Sequence, residues 1–302
     1  MSELKLADVG RDMQGKTVLI TGTASGMGRI TAKRLAELGA RLILVDFDVP
    51  NGMAARNEIV RDTGNERLEF IDCDVTDFEQ VRRMCAHVDA SYDRLDVLIN
   101  NAGITESVRR ESVDGFEMTM ATNFLGAFLI ARLLREKLAA SAPARLINIC
   151  SDAHKMTKTL DFDDLDNREG WDAVNHNKGF QAYARSKLSL AAVSYRLAEE
   201  FRGTGVDVHT VSPGYFIRTN VHRHMRGIWK LGVKLFWPFL QSPYRAARTY
   251  VYLASSPDVA GDTGHYWEHM AHKDSSPASH DPELQRKIWD YAMLSTESGN
   301  RG

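Results

Sequence analysis

The chain has 302 residues, 43% of them hydrophobic and 26% charged, with a formal net charge of −2. That is enough for one large α/β domain or two ordinary ones, with a sizeable buried core. A near-neutral balance without a basic run excludes the electrostatic footprint of a nucleic-acid partner.

In chain order, the opening MSELKLADVGRDMQGK has neither an apolar run nor a cleavage-like site, so it carries no secretory signal. KTVLIT (16–21) reads as a buried strand, followed by a glycine turn and the helix RITAKRLAELGA, which Gly39 closes. RLILVDFD (41–48) is a second strand, AARNEIVRDTG a helix ending at Gly64, and LEFIDCDVT (68–76) a third strand. FEQVRRMCAHVDASY is helical, DVLINNAG (96–103) is a fourth strand, and residues 115–139 form a long helix. ARLINICS (144–151) is the fifth strand, a helix carrying YARSK (183–187) runs to Phe201, and VDVHTVSPG (206–214) is the sixth strand. Such alternation predicts an α/β fold, a parallel sheet with helices on both faces. With no linker, repeat or low-complexity tract, residues 1–302 form one domain with a frayed tail, SGNRG. The cysteines Cys73, Cys85 and Cys150 are scattered and read as small buried hydrophobes in a reducing compartment, so the protein is placed in the cytoplasm.

Three segments break the repeat. Residues 152–180 are a long acidic, polar insertion; residues 227–240 (GIWKLGVKLFWPFL) are rich in Trp and Phe; and the closing PELQRKIWDYAML is helix-like, with Asp281 as its cap.

TGTASGMG (21–28) sits between the first strand and the first helix. Gly22, Gly26 and Gly28 permit a tight turn and let backbone N–H groups approach a pyrophosphate at the helix N-terminus. Glycine spacing alone is weak evidence, because a tight turn can need glycine without a ligand. Asp46, at the end of the second strand and 18 positions after Gly28, is where a carboxylate receives adenosine ribose hydroxyls. A carboxylate there repels a 2′-phosphate, which favours NAD over NADP. Arg29, able to pair with such a phosphate, speaks for NADP. Asp74 and Val75 are placed for an adenine contact. In YARSK, Tyr183 and Lys187 stack one helical turn apart. They are either a surface pair, or the lysine makes the tyrosine release a proton near neutral pH.

In order along the chain, TGTASGMG, DV (74–75), NNAG (100–103), Asn123 in ATNFLGAF, Ser151 ending ARLINICS, YARSK and SPG (212–214) resemble the short-chain dehydrogenase/reductase family over nearly the whole length. SDAHK after the serine, FDDLD in the insertion and SHDPELQRKIWDYA near the end resemble its retinol dehydrogenase-like branch. The resemblance implies a single doubly wound (Rossmann) sheet and an oxidoreductase passing hydride between a nicotinamide cofactor and an alcohol or carbonyl. It implies that Tyr183 is the general base or acid, that Ser151 hydrogen-bonds the substrate oxygen, that Lys187 holds the nicotinamide ribose, and that Asn123 positions a relay water. The implied cofactor residues are Gly22, Thr23, Ser25, Gly26, Met27, Gly28, Asp46, Phe47, Asp74, Val75, Asn101, Ala102, Gly103, Tyr183, Lys187, Pro213, Gly214 and Thr219. Two departures stand out: relatives in that branch often carry arginine where this chain has VDFD, and the loop PGYFIRT is one residue longer than usual, which bears on Thr219. A phenol titrates near 10, so ionising it at neutrality needs roughly 4 kcal/mol of differential stabilisation. Lys187 and an oxidised nicotinamide are the expected sources of it.

Residues 215–245 follow the sixth strand, where a substrate lid belongs. Their apolar side chains read as a lid over a bulky lipophilic substrate, as plain core packing, or as an interfacial membrane anchor or oligomer contact; at 14 residues the stretch 227–240 is too short to span a bilayer. His265 and His269 would share one face of a helix, yet without cysteines or an evident carboxylate set no metal site is assigned. DFDDLD lacks the spacing of a calcium loop and reads as solvated. The expected partner is a small lipophilic molecule, and family likeness adds a homo-oligomer. The rival readings are an NADPH-dependent biosynthetic ketoreductase and a non-catalytic nucleotide-binding member of the family.

Overall fold

Runs such as TVLIT, RLILVD and ARLINI place apolar side chains at successive positions, so both faces of each strand must be covered. The computed structural model, which describes residues 6, 8–169, 171, 174–214 and 242–297, covers them in this way. Strands β1 (Thr17–Thr21), β2 (Arg41–Asp46), β3 (Leu68–Asp72), β4 (Val97–Asn100), β5 (Ala144–Ile149), β6 (Val206–Val211), β7 (His265–Glu268) and β8 (Ala271–His272) form one sheet. Their order is β3-β2-β1-β4-β5-β6-β7-β8. All pairings are parallel except the terminal β7–β8 hairpin. The reversal of winding between β1 and β4 opens a crevice beyond the carboxyl ends of the strands.

Helices cover both faces. Leu19, Val45, Leu98 and Leu146 face α3 (Phe78–Ser91), the long α4 (residues 118–133), α6 (His176–Glu200) and α8 (Pro282–Glu297). Val18, Ile20, Leu42, Ile147 and Val211 face α1 (Gly26–Glu37), α2 (Val49–Thr63) and α7 (Pro243–Ser255). Helix ends follow the sequence: Gly64 caps α2 in the left-handed region, and Asp281 Oδ1 accepts the Glu283 N–H at the start of α8. The expected helix over 115–139 begins at Met118, because Glu117 turns its carboxylate onto the N–H groups of Thr119 and Met120. That helix, α4, comprises Met118–Met120, a π turn over Ala121–Leu125 and Gly126–Leu133; α5 (Arg135–Ala140) follows.

Three expectations need correction. The expected strands overshoot at their carboxyl ends: β2 stops at Asp46, β3 at Asp72, β4 at Asn100, β5 at Ile149 and β6 at Val211, and the residues that follow belong to loops. The acidic insertion is not simply solvated. Leu160, Leu165, Asp166 and Asn167 are buried, Asp166 accepts the Glu117 N–H at 2.8 Å, and Arg185 donates to Asn167 Oδ1 at 2.8 Å. Finally, His265 lies in β7 and His269 in the β7–β8 turn with φ +53°, so the two never share a helix face. The segment proposed as a lid falls outside the described residues over 215–241. Among the described residues no helix is long and apolar enough to cross a membrane.

Candidate active site

The glycine loop is built from close approaches. Gly22, at φ +74°, comes so near the β4 loop that a Cβ would lie 2.9 Å from Ala102 Cα. A Cβ on Gly28 would lie 2.2 Å from the Gly22 carbonyl oxygen. Thr21 Oγ1 accepts the N–H groups of Asn101 and Ala102, each at 3.0 Å, while Asn101 Nδ2 donates to the Thr21 oxygen at 2.8 Å. NNAG is thus laced to the glycine loop. Ser25 caps α1 in an extended conformation without a side-chain hydrogen bond, and the first turn holds no acid. Its amide dipoles therefore meet no protein carboxylate from that turn.

An open cleft of about 1170 Å³, solvent at its mouth included, lies over this loop. Of the predicted cofactor residues, Gly22, Ser25, Gly26, Met27, Asp46, Phe47, Asp74, Val75, Asn101, Ala102 and Gly103 line it. Thr23 and Gly28 lie beneath and shape the loop, whereas Tyr183, Lys187, Pro213 and Gly214 stand outside this lining. Thr219 is outside the described residues. Asp46 accepts the Ala24 N–H at 2.8 Å and the Asp48 N–H at 3.1 Å, which fixes its carboxylate at the cleft. Asp74 Oδ1 accepts both the N–H and the hydroxyl of Thr76. Arg29 is paired with Glu58 on α2. Close loop approach, uncapped amides and a fixed carboxylate suit a dinucleotide, with pyrophosphate over Gly22–Gly28 and ribose at Asp46.

Two of the predicted tetrad, Asn123 and Lys187, meet beside Gly103. A Cβ there would meet Asn123 Oδ1 at 3.3 Å and Lys187 Nζ at 3.7 Å. Asn123 sits in the π turn of α4, a type of irregularity that recurs at functional sites. Its Oδ1 accepts the Ile104 N–H at 2.8 Å, and its Nδ2 donates to the Ile104 oxygen and to Ser186 Oγ, each at 3.0 Å. Asn123 thereby clamps the β4 loop to the tyrosine helix, and its side chain is already engaged. Lys187 Nζ donates to the Ile149 carbonyl at 2.7 Å and lies 5.8 Å from the Tyr183 ring centroid. Burial lowers the Lys187 ammonium to about 8. Burial likewise pushes the Tyr183 phenol up to about 12, with hydrogen bonding to Ser151 acting in the opposite direction. In the chain without cofactor burial dominates at the phenol, whereas the expected lowering rests on Lys187 and an oxidised nicotinamide together.

Sequence reasoning missed the brace behind Ser151. His154 is buried, its Nδ1 hydrogen-bonds the Ser151 carbonyl at 2.7 Å, and its Nε2 accepts the Ser276 N–H at 2.9 Å. With Nε2 accepting and a carbonyl facing Nδ1, the proton sits on Nδ1, and burial lowers the pKa of this imidazole. Asp152 accepts from Ser212 Oγ and Lys273 Nζ, each at 3.2 Å, and pairs with Lys155 at 2.8 Å. Burial raises that carboxyl, but the two lysines outweigh it and hold it below the usual range. The serine loop is thus tied both to SPG and to the segment after β8. SDAHK was the available signal, but nothing local in it reveals a partner more than a hundred positions away.

A family model described as short chain dehydrogenase matches residues 16–160. Human retinol dehydrogenase 14 is 37% identical over 93% of this chain and 86% of its own length, and human retinol dehydrogenase 13 is 36% identical over 91% and 82%. A crystal structure of an uncharacterized protein from Mycobacterium paratuberculosis superposes with a TM-score of 0.75 at 26% identity, covering 97% of each chain. The RhlG/NADP active-site complex of Pseudomonas aeruginosa gives 0.65 at 26% identity, over 84% of this chain and 94% of that one. With these likenesses over nearly the whole length, the chain belongs to the short-chain dehydrogenase/reductase family, in its retinol dehydrogenase-like branch, and is an NAD(P)-dependent oxidoreductase that passes hydride between cofactor and an alcohol or carbonyl.

Proposed function

We propose that the protein is an NAD(H)-dependent dehydrogenase of a lipophilic alcohol, aldehyde or ketone, with proton transfer at the Tyr183 hydroxyl. The observation that carries this reading is the convergence of Asn123 and Lys187 on Gly103, with Ser151 hydrogen-bonded to Tyr183. When bound, the nicotinamide supplies the hydride acceptor or donor and, when oxidised, a positive charge. The chain's own groups do the rest. Ser151 orients the substrate oxygen, and Tyr183 takes its proton in oxidation or returns it in reduction. Lys187 would hold ribose hydroxyls and keeps a cation beside the phenol, while Asn123 fixes the loop after β4 and would position a relay water. Asp46 supports NAD, since its carboxylate repels a 2′-phosphate, and Glu58 offsets Arg29, the group that spoke for NADP. The apolar stretch within 227–240 and the retinol dehydrogenases among the relatives support a bulky apolar substrate. Three free, buried cysteines support a reducing, cytoplasmic setting, and the homo-oligomer rests on family likeness alone.

Nicotinamide absorbance over a panel of apolar alcohols, apolar carbonyls and small sugars, run with each cofactor, tests this. NAD is expected to bind at least about tenfold tighter than NADP, and Glu58→Gln to narrow that gap by roughly three- to tenfold by releasing Arg29. Tenfold tighter NADP binding would favour the biosynthetic ketoreductase, and a preference for sugars would remove the lipophilic substrate.

A further inference from the structure

Beyond the crevice, the sheet edge brings together three groups that lie apart in any helical reading. Asp262, His265 and His272 place one ligating atom each within 4.8 Å of one another, the one such cluster among the described residues. His265 Nε2 lies 3.2 Å from Asp262 Oδ1 and His272 Nε2 lies 2.8 Å from Oδ2. The two imidazoles stack at 4.2 Å and 15°, an arrangement aromatic rings do not favour by themselves. What aligns them is the shared carboxylate.

The supports are rigid. His265 is on β7, in register with His209 of β6, and His272 is on β8 opposite Trp267, whose ring it meets edge-on at 4.3 Å. The loop bearing Asp262 is pinned to β6 on both sides: Gly261 N donates to Asp207 Oδ2 at 2.8 Å, Gly264 N to the Val208 oxygen at 2.8 Å, and Val208 N to Thr263 Oγ1 at 2.9 Å. None of the three residues lines the cofactor cleft.

We propose that Asp262, His265 and His272 form a binding site for a divalent transition-metal ion of the zinc type. Zinc at about 2.0–2.1 Å from each donor sets neighbouring ligand atoms roughly 3.3 Å apart, near the nitrogen–oxygen separations of 3.2 and 2.8 Å and inside the 4.8 Å that spans the cluster. Two imidazoles with one carboxylate suit zinc, nickel or copper; calcium and magnesium want oxygen donors. The imidazole side chains are half exposed, so water completes the coordination shell. One cation held by all three groups would staple the β7–β8 hairpin to the β6–β7 loop without entering the chemistry.

The test uses the full-length, tag-free chain stripped with chelator, titrated with zinc chloride in a calorimeter and with cobalt(II) in a spectrophotometer. One equivalent is expected to bind with Kd below about 50 μM, raising Tm by roughly 5 °C at saturation. Asp262→Asn and His272→Ala should each weaken binding at least about tenfold while turnover stays unchanged. A His222→Ala/His224→Ala variant, altering other histidines, should bind as the parent does. The proposal is overturned if no saturable one-to-one event appears below that concentration, or if it survives in Asp262→Asn and His272→Ala alike.

Discussion

Tyr183→Phe is expected to lower kcat by roughly 10²- to 10⁴-fold, the usual range for losing a positioned proton-transfer group, while NAD affinity changes by no more than about threefold. The substitution deletes one oxygen and keeps the ring, which packs 6.3 Å from Phe180 and lies under Lys187, so the fold has no reason to change. Stopped-flow hydride transfer on the best alcohol of the panel, with NAD affinity from quenching of protein fluorescence, separates the two effects. Full turnover in Tyr183→Phe would remove the proposed proton path. Absence of turnover in the parent protein on every carbonyl and alcohol, with NAD still bound, would leave the non-catalytic reading.

The second large effect is at Gly28. A methyl group there would sit 2.2 Å from the Gly22 carbonyl oxygen, a backbone atom that cannot swing aside like a side-chain tip. Gly28→Ala must therefore push the first turn of α1 away from the loop it meets. Forcing a methyl into such a contact costs about 1–3 kcal/mol, and if that strain falls on the phosphate cradle, NAD affinity drops roughly 5- to 150-fold. Gly26→Ala makes a fair contrast: its Cβ would meet nothing, and its penalty comes only from φ +60°. Calorimetric NAD titrations of both variants should show the larger loss at Gly28. Equal affinities would show that the close approach does not shape the cofactor cradle.

The element order and the crevice could be read from residues because both rest on local patterns. Both-face apolar runs marked β1 to β6, and glycines at fixed spacing marked the loop after β1. Strand ends could not be read, since nothing local in VDFD, INNAG or NICS marks the residue at which the chain leaves the ladder. The β7–β8 hairpin escaped notice because its turn is made by His269 and Met270 at positive φ, without the Asn or Gly that signals such turns. For the same reason the histidine spacing suggested a helix, and the pairing of His265 with Asp262 and His272 could be seen only in three dimensions. The π turn at Asn123 and the His154 brace depend on contacts with Ile104, Ser186 and Ser276, far off in the chain. The electrostatics of the tetrad were the least legible. Tyrosine and lysine one turn apart suggest a depressed phenol pKa, whereas shared burial drives the phenol up and the ammonium down, each toward its neutral form.

That reversal sharpens what Lys187 must do. With the phenol lifted to about 12 and the ammonium lowered to about 8, alcohol oxidation depends on cationic charge from lysine and oxidised cofactor together. Rate should then rise with pH as the phenolate forms. The decisive readout is the pH dependence of kcat/KM for alcohol oxidation by Lys187→Met, a substitution close in length that removes only the charge and its donors. The profile's midpoint is predicted to move upward by at least about one pH unit, and the rate at neutrality to fall roughly 10²-fold or more. An unshifted profile with undiminished turnover, in protein that remains folded and binds NAD, would contradict this account.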